Sequence, residues 1–193
     1  MIRTGDVLQN PVTGELIRFV QAAADTNGEV VVVDVVVAPD GCVAAAHCHP
    51  YQTETFEVLE GEITFKVGRE KIVARAGQKL EVEPGTAHRF RNSGTTDARF
   101  RCEVRPALQF EQLIETMFSL AQEGKTNRKG MPNPFRLAVI ANAHFDDVRL
   151  PLIPHVLQKL ALAMGAPVGR LLGYRATNEV TREEPPVELP AAA

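Results

Sequence analysis

The chain has 193 residues, of which 45% are hydrophobic and 23% charged, and its formal net charge is −3. This length fits one domain with an appendage. Lys and Arg are scattered along the sequence, which argues against nucleic acid as a partner because phosphate binding needs a basic stripe. No apolar run approaches the ~18 residues of a membrane span, residues 1–6 lack an apolar signal core, and three cysteines do not make a disulfide framework. We therefore expect a cytoplasmic protein with no membrane partner.

The first part of the chain, residues 1–105, is predicted to be all β. Turn signals punctuate it every eight to twelve residues, and the run at 29–37 is apolar on both faces, which predicts a strand covered on both sides. Residues 54–67 alternate, with Glu54, Phe56 and Val58 facing inward and a hairpin at Gly61. The remaining predicted strands lie at 7–8, 16–20, 71–74, 79–83, 88–91 and 98–104. Many short strands of this kind predict a sandwich or a small barrel.

The second part, residues 106–193, is predicted to be a helical extension with a flexible tail. Helical spacing covers 108–121 and 134–145, and a third helix at 154–164 is interrupted at residues 165–167 before 168–172 continue it. We expect these helices to pack on the outside of the sheet, with a lid over the site or a dimer interface as alternatives, and the end of the tail at 177–193 to be disordered. His144, Asp146 and Asp147 are expected at a solvated helix end rather than in a second metal site.

The cluster of chemistry-bearing residues is His47-Cys48-His49, followed by Glu54 and His88. Three imidazoles and a carboxylate can hold a divalent first-row metal with a position left open. Two histidines at i and i+2 of a strand point to the same side, so Cys48 faces away and is a bystander. The ligand types do not select among Fe, Mn, Ni, Cu and Zn.

Two further residues near this cluster have an open role. Gln52 is left between an outer-sphere contact and a structural role, and Cys102 is expected to be an ordinary buried thiol. Neither adds a metal ligand to the predicted set.

These residues also fall into two spaced motifs. Gly-x5-His-x-His-x4-Glu-x6-Gly and Gly-x5-Pro-x-Gly-x2-His-x3-Asn are filled at Gly41, His47, His49, Glu54 and Gly61, and at Gly77, Gly85, His88 and Asn92, with Glu83 in the place of the proline and Pro84 directly after it. Over residues 30–105 the chain therefore resembles the cupin superfamily. The resemblance implies a double-stranded β-helix (jelly-roll) barrel of six to eight strands, with one metal ion held inside by His47, His49, Glu54 and His88.

The favoured function is a dioxygenase-type oxygenase that acts on a small aromatic, enolic or diketone substrate. Glu54 would be both a metal ligand and a general base, and an apolar wall would line the substrate (Phe56, Val58, Phe65, Phe90 and Phe100). A metal-dependent isomerase or lyase, and a non-catalytic small-molecule-binding protein, remain the alternatives. The strand that is apolar on both faces and the helices together predict a homodimer.

Overall fold

The structure, a computed structural model, describes residues 1–179, so the end of the predicted flexible tail lies outside the described residues. Nine strands come first, with a short 3-10 helix at Ala23–Thr26 between the second and the third, and three α-helices follow, in the order predicted. Their bounds are β1 Val7–Asn10, β2 Glu15–Gln21, β3 Val31–Val37, β4 Thr53–Glu60, β5 Glu62–Val67, β6 Glu70–Arg75, β7 Lys79–Val82, β8 His88–Arg91, β9 Ala98–Arg105, α1 Phe110–Gln122, α2 Pro134–Ala143 and α3 His155–Leu171.

The strands form two antiparallel sheets whose inner faces pack together. The larger sheet has the order β1-β2-β3-β9-β4-β7 and the smaller has the order β6-β5-β8. Aromatic rings from the two sheets meet between them, with centroids 5.1 Å apart for Phe56 and Phe65 and 5.0 Å apart for Phe90 and Phe100. The predicted mainly β fold with C-terminal helices is therefore confirmed.

The sheets do not close into a continuous barrel. Within residues 1–179, isolated bridges such as Cys42 to Arg91 and His47 to His88 tie the segment between β3 and β4 to β8 of the smaller sheet, where a barrel would need a full ladder. The predicted histidine strand is correspondingly an extended segment without a ladder. Its neighbouring residues pair with different partners, since His47 exchanges backbone hydrogen bonds with His88 whereas Cys48 exchanges them with Arg149.

The strand β3 is buried on both faces, as its apolar sequence predicts. Its inward valines, such as Val33, belong to the core, whereas Val32 and Asp34 face outward and are still buried. Arg101 of β9 lies over the outward face, with its Nε 2.8 Å from the Asp34 carboxylate, and Arg99 is 3.6 Å from the same group. Charged side chains of the neighbouring strand thus cover this part of the sheet.

The helices take two different positions. The helix α1 adds Phe110 and Phe118 to the core between the sheets, and the side-chain amide of Gln122 donates to the carbonyl of Gln9 on β1. The helices α2 and α3 pack against each other. None of the helices within residues 1–179 combines the length and the apolar character that a membrane span requires.

The predicted interruption of the third helix is wrong, because α3 runs unbroken through Pro167. Its packing on α2 explains the continuity. A Cβ atom at Gly169 would lie 2.4 Å from the carbonyl oxygen of Phe135, so the glycine allows a close approach of the two helices. This tertiary contact outweighs the weak local helix preference of glycine and proline.

Candidate metal centre

Four side chains converge at one point between the sheets: His47 and His49 from the extended segment, Glu54 from β4 and His88 from the start of β8. Their possible ligand atoms all lie within 4.8 Å of one another. His49, Glu54 and His88 are buried, whereas His47 is half-buried. The turn before His88 is tied to the segment by the backbone N–H of Gly85, which donates to the carbonyl of His49. The structure thus brings together the whole predicted ligand set.

Each of the three imidazoles is oriented by a main-chain carbonyl. The Nδ1 atoms of His47 and His88 are 2.9 Å from the carbonyl oxygens of Ala45 and Thr86, and the Nδ1 of His49 is 2.6 Å from that of Asp147. Because a carbonyl can only accept, each Nδ1 donates its proton. The Nε2 lone pairs are consequently left for a cation, the arrangement that outer-sphere partners give to metal-binding histidines.

The inward atoms lack hydrogen-bond partners. The Nε2 atoms of His49 and His88 and the Oε2 of Glu54 are buried and unpartnered. The Glu54 Oε2 and His88 Nε2 are 2.6 Å apart without the alignment of a hydrogen bond, and the Glu54 Oε1 is 3.6 Å from the His49 Nε2. Buried polar atoms are rarely left in this state. A divalent transition metal would satisfy all of them, so the residues fit the group that the sequence predicts.

The site holds two of its donors in the protonation state that a metal needs. Burial, with smaller contributions from His88 and His49, lowers the pKa of His47 to about 3. Burial alone would raise the pKa of Glu54, but the neighbouring histidines, His49 first, lower it to about 2. His47 is therefore neutral and Glu54 ionised at neutral pH. For His88, burial lowers the pKa but the Glu54 carboxylate outweighs it and raises it, so a metal ion would compete with a proton there.

Gln52 contacts the centre and also anchors the start of the helical part. It is almost fully buried, and its Oε1 is 3.1 Å from the Nδ1 of His49. Its Nε2 donates to the carbonyls of Pro106 and Ala107, each at 3.0 Å. The two roles between which the sequence left it open are thus both present.

Cys102 is buried, as expected, but it also touches the site. Its Sγ lies 3.9 Å from the Oε1 of Glu54, and burial raises the pKa of the thiol well above its usual value, so the S–H is kept and can donate to the carboxylate. The contact depends on the register of β4 and β9, in which Phe56 lies opposite Cys102. Cys48 lies outside the cluster, with its Sγ 3.6 Å from the carbonyl of Arg149.

The expectation that His144 and Asp147 are solvated is wrong. His144 is 0% exposed and Asp147 3%. The Asp147 carboxylate accepts from the backbone N–H of Gln109 at 2.8 Å and lies 3.2 Å from the Nδ1 of His144, while its carbonyl binds His49. Asp146 is exposed, and residues 1–179 contain one group of at least three potential ligands that could share an ion, the predicted four. No sequence signal connects Asp147 with His49, because 98 residues separate them.

The five residues predicted to line the substrate lie in the core that adjoins the metal centre. All are buried, and the Phe56 ring centroid is 6.3 Å from that of His88. Phe65, Phe90 and Phe100 contact one another deeper between the sheets, where Val58 also belongs to the buried core. Their contact with a substrate stays a prediction. An aromatic neighbour that the sequence did not reveal is Phe110 of α1, 6.4 Å from His49.

Comparison with known proteins identifies the segment that carries the centre. A family model described as "Cupin domain" matches residues 33–104. The chain is 37% identical to a quercetin 2,3-dioxygenase of Bacillus subtilis over 81 residues, which are 42% of this chain and 24% of that protein. It is also 37% identical to the polyketide synthase CurC of Streptomyces cyaneus over 60 residues, 31% of this chain and 39% of that protein. The chain thus spans well under half of either relative.

Among solved structures, a RmlC-like cupin from Shewanella frigidimarina is similar at 19% identity and a TM-score of 0.48. The similar region covers 55% of this chain and 88% of that one.

Proposed function

The chain belongs to the cupin superfamily through residues 33–104, and from this membership and its four convergent donors we propose that it is a metal-dependent oxygenase of the dioxygenase type. Its substrate would be a small aromatic, enolic or diketone compound. The observation that carries this function is the set of buried, unpartnered Nε2 and carboxylate atoms around one point. The relative named quercetin 2,3-dioxygenase supports the reaction class.

A redox-active divalent ion bound by His47, His49, Glu54 and His88 would supply Lewis acidity and the electrons for chemistry with dioxygen. The residues of the chain prepare that chemistry. The carbonyl-anchored imidazoles keep their Nε2 atoms aimed at one point, and the buried phenylalanines beside them exclude bulk water, which strengthens electrostatic interactions in the site.

Glu54 has a second role in this proposal. As an ionised, buried carboxylate it accepts a proton from an acidic enol or hydroxyl of the substrate. The thiol of Cys102, 3.9 Å from its Oε1, can donate to the carboxylate and helps to hold it in place.

The decisive experiment loads the protein anaerobically with Fe(II) and, separately, with Mn(II), Ni(II) or Cu(II), and then measures oxygen uptake with catechols, diketones and flavonols. We expect uptake with at least one pair of metal and substrate class. No uptake with any pair, together with isomerase or lyase activity of the Zn(II) or Mn(II) form, would replace the oxygenase by that alternative. Binding of a ligand without turnover would support the other alternative, a non-catalytic small-molecule-binding protein.

The role of Glu54 has its own test. Glu54→Gln should reduce turnover while the protein stays folded, and Glu57→Gln is the matched control because Glu57 is on the same strand and faces the opposite side. Unchanged metal content and unchanged turnover in Glu54→Gln would refute the role of this carboxylate.

A further inference from the structure

The helix α3 carries a continuous apolar face that no described part of the protein covers. Six side chains on it are between 42% and 88% exposed: Val156, Leu157, Leu160, Met164, Val168 and Leu171. At about 100° per residue these positions fall within an arc of about 120° of the helix. Leu152, just before the helix, extends the surface and is 93% exposed. Apolar surface of this extent usually marks an interaction site.

The opposite face of α3 is fixed in the fold. Ala166 and Gly169 are buried there, where the helix packs on α2. The exposed apolar face is therefore separate from the face through which α3 packs on α2. The last described residues lie at α1, since the side chain of Asn178 donates to Ser119 of this helix and to Glu123 directly after it.

The charged residues of α3 and of the segments directly before and after it all have one sign. Residues 148–178 contain four Lys and Arg residues and no Asp or Glu, although the whole chain has a net charge of −3. Lys159 and Arg170 are exposed and lie three turns apart along one edge of the apolar arc. Within residues 1–179, no carboxylate forms an ion pair with Lys159, Arg170 or Arg175.

We propose that α3 docks on an anionic lipid surface and lies in the plane of the interface with its apolar face inserted. The leucine, valine and methionine side chains would enter the boundary of headgroups and acyl chains. The stems of Lys159 and Arg170 would run along the apolar surface and place their charges at the lipid headgroups. The sequence-based expectation of no membrane partner considered spanning segments, and an interfacial helix needs no span.

A second copy of the chain fits this face less well. In an antiparallel symmetric pair, the same cationic edge would meet itself. The six exposed residues of the arc also include no aromatic residue and no side chain that forms hydrogen bonds, whereas protein interfaces are enriched in aromatic residues and carry direct hydrogen bonds. Insertion into a lipid surface requires neither aromatic residues nor direct hydrogen bonds on the apolar face.

The test is flotation of the full chain with vesicles of phosphatidylcholine alone or with about 30% phosphatidylglycerol, an anionic content chosen to attract basic residues. We expect binding to the anionic vesicles that weakens as salt is raised. Leu157→Asp with Leu160→Asp should abolish it, and Lys159→Glu with Arg170→Glu should reduce it by about ten-fold or more. Arg69→Glu with Lys71→Glu, which reverses two exposed charges on the β5–β6 hairpin, is the matched control and should bind like the parent.

The residues that each variant replaces are exposed in the structure. An unchanged melting temperature will show that the variant is folded. Equal binding to uncharged vesicles would overturn the anionic preference. Absence of binding to any vesicle would overturn the proposal. If sedimentation velocity then showed a dimer that Leu157→Asp with Leu160→Asp dissociates, the face would instead be an interface between copies.

Discussion

Glu15 at the start of β2 should make the stability of the fold depend on pH. The residue is 6% exposed, and burial, partly offset by the neighbouring Thr13, raises its pKa from 4.5 to about 7. The folded state therefore holds this proton at pH values where the unfolded chain has released it. The resulting stabilisation is complete below pH 4.5 and is lost as the pH rises through 7. At 1.36 kcal/mol per pH unit, the loss is about 3 kcal/mol.

Glu15→Gln removes this titration because the amide is neutral at every pH. We expect the free energy of unfolding of the variant, minus that of the parent, to rise by about 3 kcal/mol between pH 4.5 and pH 8. The free energy of unfolding of both proteins is measured by urea unfolding in metal-free buffer. Subtracting the parent value from the variant value cancels the titration of the metal centre, which both proteins share. Glu70→Gln, at an exposed strand end, is the control for replacing a glutamate by glutamine without changing a buried group. The reasoning is refuted if Glu15→Gln shifts stability equally at both pH values.

Three other changes test the centre and the helix pair. Gln52→Leu leaves the carbonyl of Pro106 without its donor, removes one of two donors to the carbonyl of Ala107, and removes an acceptor for His49. The free energy of unfolding in urea should therefore fall by about 1–3 kcal/mol, and the metal affinity should fall about 10–100-fold in a chelator competition. Added Ni(II) should raise the melting temperature in a concentration-dependent way, by the equivalent of about 2.7 kcal/mol at a hundred times the Kd, and His88→Ala should remove that response. Gly169→Ala should lower the free energy of unfolding by about 1–3 kcal/mol through overpacking against α2. In the same thermal melts Gly165→Ala should lower it less, because a Cβ atom at Gly165 would lie 3.1 Å from its nearest neighbour.

The strands could be predicted from the sequence because their signals are local. The prediction for 88–91 coincides with β8, and that for 98–104 falls one residue short of β9. Alternating side chains and glycine turns are properties of neighbouring residues, so one sequence is enough to find them. The continuity of α3 through Pro167 was not predictable in this way, because it depends on packing against α2.

In the candidate centre, too, the features with local signals were predictable and those that depend on tertiary structure were not. The four donors follow from the spacing of two short motifs, and the structure brings these side chains together. The partners that orient them depend on strand register and on the path of the chain after α2. The contact of Cys102 with Glu54 and that of Asp147 with His49 are therefore visible in the structure alone.

His49 differs from the other two histidines because its Nδ1 donates to a carbonyl from a distant part of the chain. His47 and His88 each donate from Nδ1 to the carbonyl two residues earlier in the chain. The equivalent carbonyl for His49 is that of His47, which accepts from the backbone N–H of His88 in the isolated bridge between these two residues. His49 instead uses the carbonyl of Asp147, whose side chain is held by the N–H of Gln109 before α1. The orientation of one predicted ligand thus depends on residues beyond the predicted boundary at 105, and the helical part contributes directly to the geometry of the centre.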